Sequence, residues 1–299
     1  MLAADLSRWF VWLVAFAWGA AWGSFFNVAI YRWPRGMSVG RPKSHCPSCG
    51  APIRAWTNVP IVGWLALRGK ASCCGTPISP RYVFVELLGA VLCVAIAELW
   101  IVRAPEGTPL LYATIEAVLY FVFAGGLLIA TFVDLEWMEI PDEVSLPCSA
   151  IGLVSAPFRA EPGLWSAAVG AGAAYLTVQV IFVWGYEALA GRRGMGEGDS
   201  KLMMMIGAFL GWRGAMFSLV AGAFQGLIFA GLALATGRKL TPDIDERVID
   251  GEVIEAPDEA DPGRVGLLKL PFGPFLALAA LEYLLAGDAI LAWYFRLLH

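Results

Sequence analysis

Charge is scarce in this chain. Asp, Glu, Lys and Arg together make up 15% of its 299 residues, hydrophobic residues make up 59%, and the mean hydropathy is +0.67. That balance excludes an ordinary soluble domain of this length. Between Arg32 and Arg81 acidic residues are missing altogether, although eight basic ones stand there. No glycine-rich strand-to-helix fingerprint of a soluble nucleotide fold occurs. No internal repeat of the kind that builds inverted-repeat transporters is evident either. The expected surroundings are a lipid bilayer, and no nucleic-acid partner is expected.

What the chain does hold is a series of apolar runs. A spanning helix needs about 20 mostly apolar residues. Eight runs qualify once short ones are allowed: Trp9 to Tyr31, Tyr82 to Val102, Leu110 to Val133, Val144 to Phe158, Leu164 to Ala190, Leu202 to Trp212, Ala215 to Ala235 and Leu270 to Leu285. They predict an all-α, polytopic membrane helical bundle of about eight transmembrane helices. The fourth and sixth are too short to span alone and need flanking residues or backbone sheltered by neighbouring helices.

Lysine and arginine set the orientation, because cytoplasmic loops are enriched in them. Arg32, Arg35, Arg41, Lys43, Arg54, Arg68, Lys70 and Arg81 make the first loop cytoplasmic. Alternation then places the loops 134–143, 191–201 and 236–269 on the same side. Reading the first span as a cleaved signal peptide would require moving those eight uncompensated charges across the membrane. The insert 236–269, with nine acidic residues against five basic and three prolines, reads as a solvated or disordered segment.

The first cytoplasmic loop carries a Cys46-Pro47-Ser48-Cys49 knuckle and, separated from Cys49 by 23 residues, the adjacent pair Cys73 and Cys74. Paired knuckles at this spacing form four-thiolate zinc sites, which fold segments too small to build a core. The metal candidates are Cys46, Cys49, Cys73 and Cys74. Adjacent cysteines tend to point apart, so His45 is an alternative fourth ligand. An unmetallated loop and a disulfide are the competing readings. Cys93 and Cys148, in apolar runs, read as small buried hydrophobes.

Two aspartates carry the chemistry. Asp134 follows the apolar run 127–133, and Asp199 stands in Gly196-Glu197-Gly198-Asp199 at the start of the sixth run. Carboxylates at the edge of a span are costly and mark chemistry or an ion path. Pro141 forces a turn after the first, and the glycines let the second approach a neighbouring element closely. Should the fourth and sixth spans pack together, the carboxyls meet, share one proton and can hydrolyse a peptide. The competing reading is helix N-terminal capping. Seven other polar residues within spans, Glu86, Glu98, Glu116, Gln179, Glu187, Gln225 and Glu282, read mainly as interhelical hydrogen-bonding groups, Glu86 and Glu116 being the two to check first.

The ordered set of motifs resembles the prepilin peptidases, membrane aspartyl proteases of the GxGD type. It comprises Gly23-Ser24-Phe25-Phe26-Asn27-Val28, the first knuckle, Asn58-Val59-Pro60, Gly69-Lys70, and Pro77-Ile78-Ser79-Pro80-Arg81-Tyr82 leading to Glu86. Asp134 with Ile140-Pro141-Asp142, the run 196–201, and Pro271-Phe272-Gly273-Pro274-Phe275 complete it. The resemblance implies a first transmembrane helix at 1–31, a cytoplasmic knuckle domain at 32–81 and a membrane peptidase domain at 82–299. It makes Asp134 and Asp199 the catalytic pair, with Asp142 shaping the loop. It further implies a bacterial inner-membrane enzyme that cuts type IV prepilins or type II secretion pseudopilins after a glycine on the cytoplasmic side. The new amino terminus, commonly phenylalanine, is then methylated from S-adenosylmethionine. The chain departs from the family at Ala71, where a cysteine usually follows Gly-Lys, which puts the tetrathiolate site in question.

Glu136, Glu139, Asp142, Glu143 and Glu197 concentrate negative charge where a basic leader would lie and are candidates for steering it. The rival from another class is a proton- or cation-coupled transporter using the aspartates as relay groups. A noncatalytic scaffold with a metal-bound loop is a third reading.

Overall fold

A computed structural model describes residues 1–41, 44–46, 48–191, 194–236, 247–249, 252–254 and 270–298. Lys43, Pro47 and most of the insert 236–269 fall outside them. Nine helices carry the described fold: α1 Arg8–Arg32, α2 Val62–Ala66, α3 Arg81–Ala97, α4 Leu110–Trp137, α5 Asp142–Ser155, α6 Leu164–Leu176, α7 Tyr186–Ala190, α8 Glu197–Ala235 and α9 Gly273–Leu298. Within the insert, β1 Arg247–Ile249 and β2 Glu252–Ile254 pair antiparallel.

Proline and glycine set the boundaries. Pro80, Pro109 and Pro141 immediately precede α3, α4 and α5, where a missing N–H costs nothing. The 39-residue α8 is two helices joined at Gly211, whose φ of 69° and ψ of −175° interrupt the helical course. Its two parts supply the sixth and seventh expected runs. α6 continues through π-helical turns, Thr177–Gly185, into α7, and α3 does so through Glu98–Val102.

Among the described residues, five helical segments are long and apolar enough to cross a membrane: Arg8–Arg35, Arg81–Val102, Leu110–Trp137, Leu164–Ala190 and Glu197–Ala235. The 14-residue α5 is about 21 Å long at 1.5 Å per residue, short of a ~30 Å hydrocarbon layer. It packs instead against α4, α6 and α8, the sheltering that a short segment needs. α4 runs through the centre, touching α1, α3, α5, α8 and α9. Phe123 of α4 stacks on Phe209 of α8 with ring centroids 4.7 Å apart, both fully buried. The knuckle loop is inserted between α1 and α3, which lie against each other through Gly19, Gly23 and Gly89, where an added Cβ would strike the facing backbone.

Candidate active site

Asp134 lies in the last turn of α4, which ends as Met138 adopts a left-handed conformation and donates its N–H to the Asp134 carbonyl. The chain then reverses through Ile140 and Pro141 into α5. Only 5% of Asp134 is exposed. Its Oδ2 accepts a 2.9 Å hydrogen bond from the N–H of Gly273, the first residue of α9. A glycine fits there because a Cβ would stand 2.7 Å from that same oxygen.

Asp199 lies in the first turn of α8 and is 7% exposed. Its Oδ2 accepts from the Gly196 N–H at 3.0 Å, so the capping role and a place in the site coexist on one carboxyl. Gly198 packs on the 138–141 turn: an added Cβ would stand 3.0 Å from Ile140 Cβ. Next to Asp199, the Ser200 hydroxyl donates to Gln179 Oε1 at 2.8 Å, tying the start of α8 to the segment after α6. The two turns are joined directly, since Lys201 Nζ donates to both oxygens of Asp142 at 2.6 and 2.7 Å.

Both aspartates line one cavity of about 490 Å³. Its wall combines apolar groups, among them Trp33, Val133, Met138 and Ile140, with the carboxylates of Glu139, Asp142, Glu143 and Glu197; among the described residues Lys201 is the cation lining it. Trp33 and Pro34 come from the end of α1, so the N-terminal segment completes the site. Two further contacts tie that segment to the end of α4. Arg81 forms an ion pair with Glu136, and the Arg35 guanidinium lies 4.8 Å from the Trp137 ring centroid.

The adjacent cysteines do not point apart. The Sγ atoms of Cys46, Cys49, Cys73 and Cys74 all lie within 4.8 Å of one another, and His45 is not part of the cluster. Cys46 to Cys74 is 3.7 Å, Cys73 to Cys74 3.8 Å and Cys49 to Cys73 3.4 Å. Four sulfurs about 2.3 Å from a tetrahedral zinc ion stand about 3.8 Å apart, so the donor set fits that metal. All four are free cysteines.

Matching hydrogen bonds explain the spacing. Cys46 N–H donates to the Ala51 carbonyl and Gly50 N–H to that of Cys46; Ala71 N–H donates to Thr76 and Gly75 N–H to Ala71. Gly50 and Gly75 both take positive φ, 69° and 73°. Ala71 is therefore the counterpart of Cys46 and Cys74 that of Cys49, while Cys73 supplies the remaining sulfur from the place of Ser48. Hydrogen bonds with the Thr76 hydroxyl and backbone bring the Cys74 thiol down to about 6. Backbone N–H groups of Cys49 and Ser48 lower that of Cys46. Its hydrogen bond with Cys49, with desolvation added, pushes Cys73 up to about 12.

Several span-embedded polar residues satisfy one another or backbone, as interhelical bonding requires. Gln225 donates to Glu282 at 2.8 Å, Glu98 takes Arg8 and Trp12, and Glu116 accepts from the Ala160 N–H at 2.9 Å. Sequence reasoning gave Arg159 no role. It is 5% exposed, lies against both the Tyr120 and Phe209 rings, and donates to the carbonyls of Gly152, Ala208 and Phe209. It thereby caps the far ends of α5 and of the first part of α8. The Gly273 N–H also had no role in sequence; its flanking prolines mark a turn, not a partner for Asp134.

Comparison with known proteins agrees with this arrangement. The family model described as the bacterial peptidase A24 N-terminal domain matches residues 17–100, and that of the type IV leader peptidase family matches 121–231. A curated prepilin leader peptidase/N-methyltransferase of Aeromonas hydrophila is 35% identical over 93% of this chain and 83% of its own length. One of Klebsiella pneumoniae is 38% identical over 65% of this chain and 83% of its own. One of Pseudomonas aeruginosa is 31% identical over 92% and 90%. No solved structure matches. With two family models meeting at the aspartate cavity and such relatives alike over most of their length, the chain belongs to the prepilin leader peptidase/N-methyltransferase family.

Proposed function

We propose that this protein is a membrane aspartyl endopeptidase that removes the basic leader of type IV prepilins or type II secretion pseudopilins and then methylates the new amino terminus. The observation that carries the peptidase reading is the meeting of two deeply buried carboxyls in one cavity, each fixed through one oxygen by a glycine N–H. Close carboxyls share a single proton. The ionised member of the Asp134–Asp199 pair takes a proton from water as that water attacks the scissile carbonyl. The protonated member hydrogen-bonds to the carbonyl oxygen, and collapse of the tetrahedral intermediate passes a proton to the leaving amine. The transporter reading has no support from the family to which the chain belongs.

Glu139, Asp142, Glu143 and Glu197 around the cavity suit a leader rich in lysine and arginine. Basic residues in the first loop favour a cytoplasmic face for the site, in a bacterial inner membrane. Zinc held by Cys46, Cys49, Cys73 and Cys74 would fix the knuckle loop that hangs between α1 and α3. S-adenosylmethionine would supply the methyl group.

The test is cleavage of a pilin precursor by purified protein, followed by mass spectrometry. Asp134→Asn and Asp199→Asn each abolish cleavage on this reading. Cleavage surviving either change would remove the pair from the mechanism, and no cleavage by the parent would refute the peptidase reading.

A further inference from the structure

The aspartate cavity leaves a second buried polar cluster unused. Glu86 of α3 is 8% exposed, and no lysine or arginine pairs with it among the described residues. Its Oε2 accepts a 2.7 Å hydrogen bond from the Ile61 N–H, and the Ser24 hydroxyl of α1 lies against the same carboxyl. One turn along α1 is Asn27, 2% exposed. Its amide donates to the Tyr82 carbonyl, one turn before Glu86 on α3, while its own Oδ1 is buried without a hydrogen-bond donor. Gly23 holds the helices together here, since a Cβ on it would meet Glu86 Cα. A carboxylate without a cation beside a carbonyl oxygen without a donor is acceptor chemistry awaiting N–H groups that carry positive charge.

The donor now on Glu86 comes from a strained place. Ile61 has φ 62° and ψ −54°, and the next N–H, that of Val62, closes back on the Pro60 carbonyl at 2.6 Å. This is a γ-turn at a β-branched residue, a costly conformation of the kind stored at functional sites. The turn covers Glu86 from the loop side. Trp33, which lines the aspartate cavity, is six residues beyond Asn27 on α1, about 9 Å along the helix. A new amino terminus released at the aspartates therefore has a short path to this cluster.

We propose that Glu86 is the base of the methyl-transfer site, receiving the terminal ammonium of the trimmed peptide beside Asn27 and Ser24 as it displaces the Ile61 N–H. The inference rests on the methyltransferase reading above. The ammonium gives one proton to the Glu86 carboxylate. The freed lone pair forms an N–C bond with the methyl group of the sulfonium donor. The C–S bond breaks with its electrons left on sulfur, which becomes a neutral thioether. The product is a secondary ammonium, and Glu86 returns its proton to solvent. Neighbouring charges point elsewhere: Arg81 pairs with Glu136, and Arg32 donates to the Ser38 and Val39 carbonyls.

The test uses full-length enzyme, labelled S-adenosylmethionine and two substrates, an intact precursor and a synthetic peptide already beginning at the mature residue. Glu86→Gln keeps an acceptor for Ile61. It should cleave precursor within about twofold of the parent yet methylate the trimmed peptide at least tenfold more slowly at pH 7. That deficit should shrink as pH passes about 8, where a terminal amine loses its proton unaided. Asn27→Ser should raise the KM for the trimmed peptide without slowing cleavage. Parental methylation by Glu86→Gln, an equal fall in both activities, or a deficit unchanged by pH would overturn the proposal. If the parent itself fails to methylate the peptide, the methyltransferase reading fails first, and the proposal with it.

Discussion

Gly273→Ala separates the positioning of Asp134 from the stability of the fold. A Cβ at residue 273 would stand 2.7 Å from Asp134 Oδ2 and 3.1 Å from Ile140 Cδ1. Ordinary contact needs about 3.5 Å, so the carboxyl must retreat by about 0.8 Å. It then loses its 2.9 Å bond from the residue 273 N–H. Misplacement of a reacting group by about 1 Å costs on the order of 100-fold, equivalent to about 2.7 kcal/mol at 1.36 kcal/mol per tenfold. Alanine in place of glycine favours helix by up to about 1 kcal/mol, so the fold gains locally while catalysis loses. Initial rates of precursor cleavage, measured with thermal unfolding of the same preparation, should show kcat/KM about 100-fold down with little change in Tm. Gly231→Ala, in α8 where a new Cβ meets nothing within 4 Å, serves as a control with parental activity. Cleavage by Gly273→Ala within threefold of the parent would refute the claim that this N–H and this carboxyl work as a fixed pair.

Further outcomes follow from other parts of the molecule. Arg159→Leu leaves the Gly152 carbonyl only its bond from the Ser155 hydroxyl and takes the side-chain donor from those of Ala208 and Phe209, where a buried unpaired carbonyl costs about 1–3 kcal/mol, so it should lower thermal stability steeply. Elemental analysis of purified protein should find one zinc per chain, lost in Cys73→Ser but retained when Ala71→Cys is combined with Cys73→Ala. Charge reversal by Glu139→Lys and Glu143→Lys should slow cleavage of a basic leader several-fold at low salt, less at high salt, and leave a neutralised leader unaffected. Equal effects on both leaders would remove these residues from leader recognition.

Much of the fold was legible because hydrophobic length and proline placement are local signals. The eight runs correspond to α1, α3, α4, α5, α6 with its continuation, the two parts of α8, and α9. The break between the sixth and seventh lies at Gly211, where positive φ requires glycine. Motif order identified the family through Gly196-Glu197-Gly198-Asp199 and Asp134, and packing of α5 on α8 met the condition for bringing them together. The knuckle was harder. Nothing in the adjacency of Cys73 and Cys74 shows that Ala71 has taken the first-cysteine position of a second turn; only the paired hydrogen bonds of 46–51 and 71–76 do. Contacts between distant segments were hidden for a similar reason. Asp134 with Gly273, and Arg159 with the end of the first part of α8, depend on helix packing that no local pattern encodes.

The sharpest test of the shared site is a double-variant comparison of cleavage rates for Asp134→Asn, Asp199→Asn and both together. Carboxyls that act as one proton-sharing unit predict that each single change costs at least about 1,000-fold and that the double variant is no more than about threefold worse than the poorer single. Independent losses that multiply, or a single variant keeping a tenth of parental activity, would contradict a catalytic pair at Asp134 and Asp199.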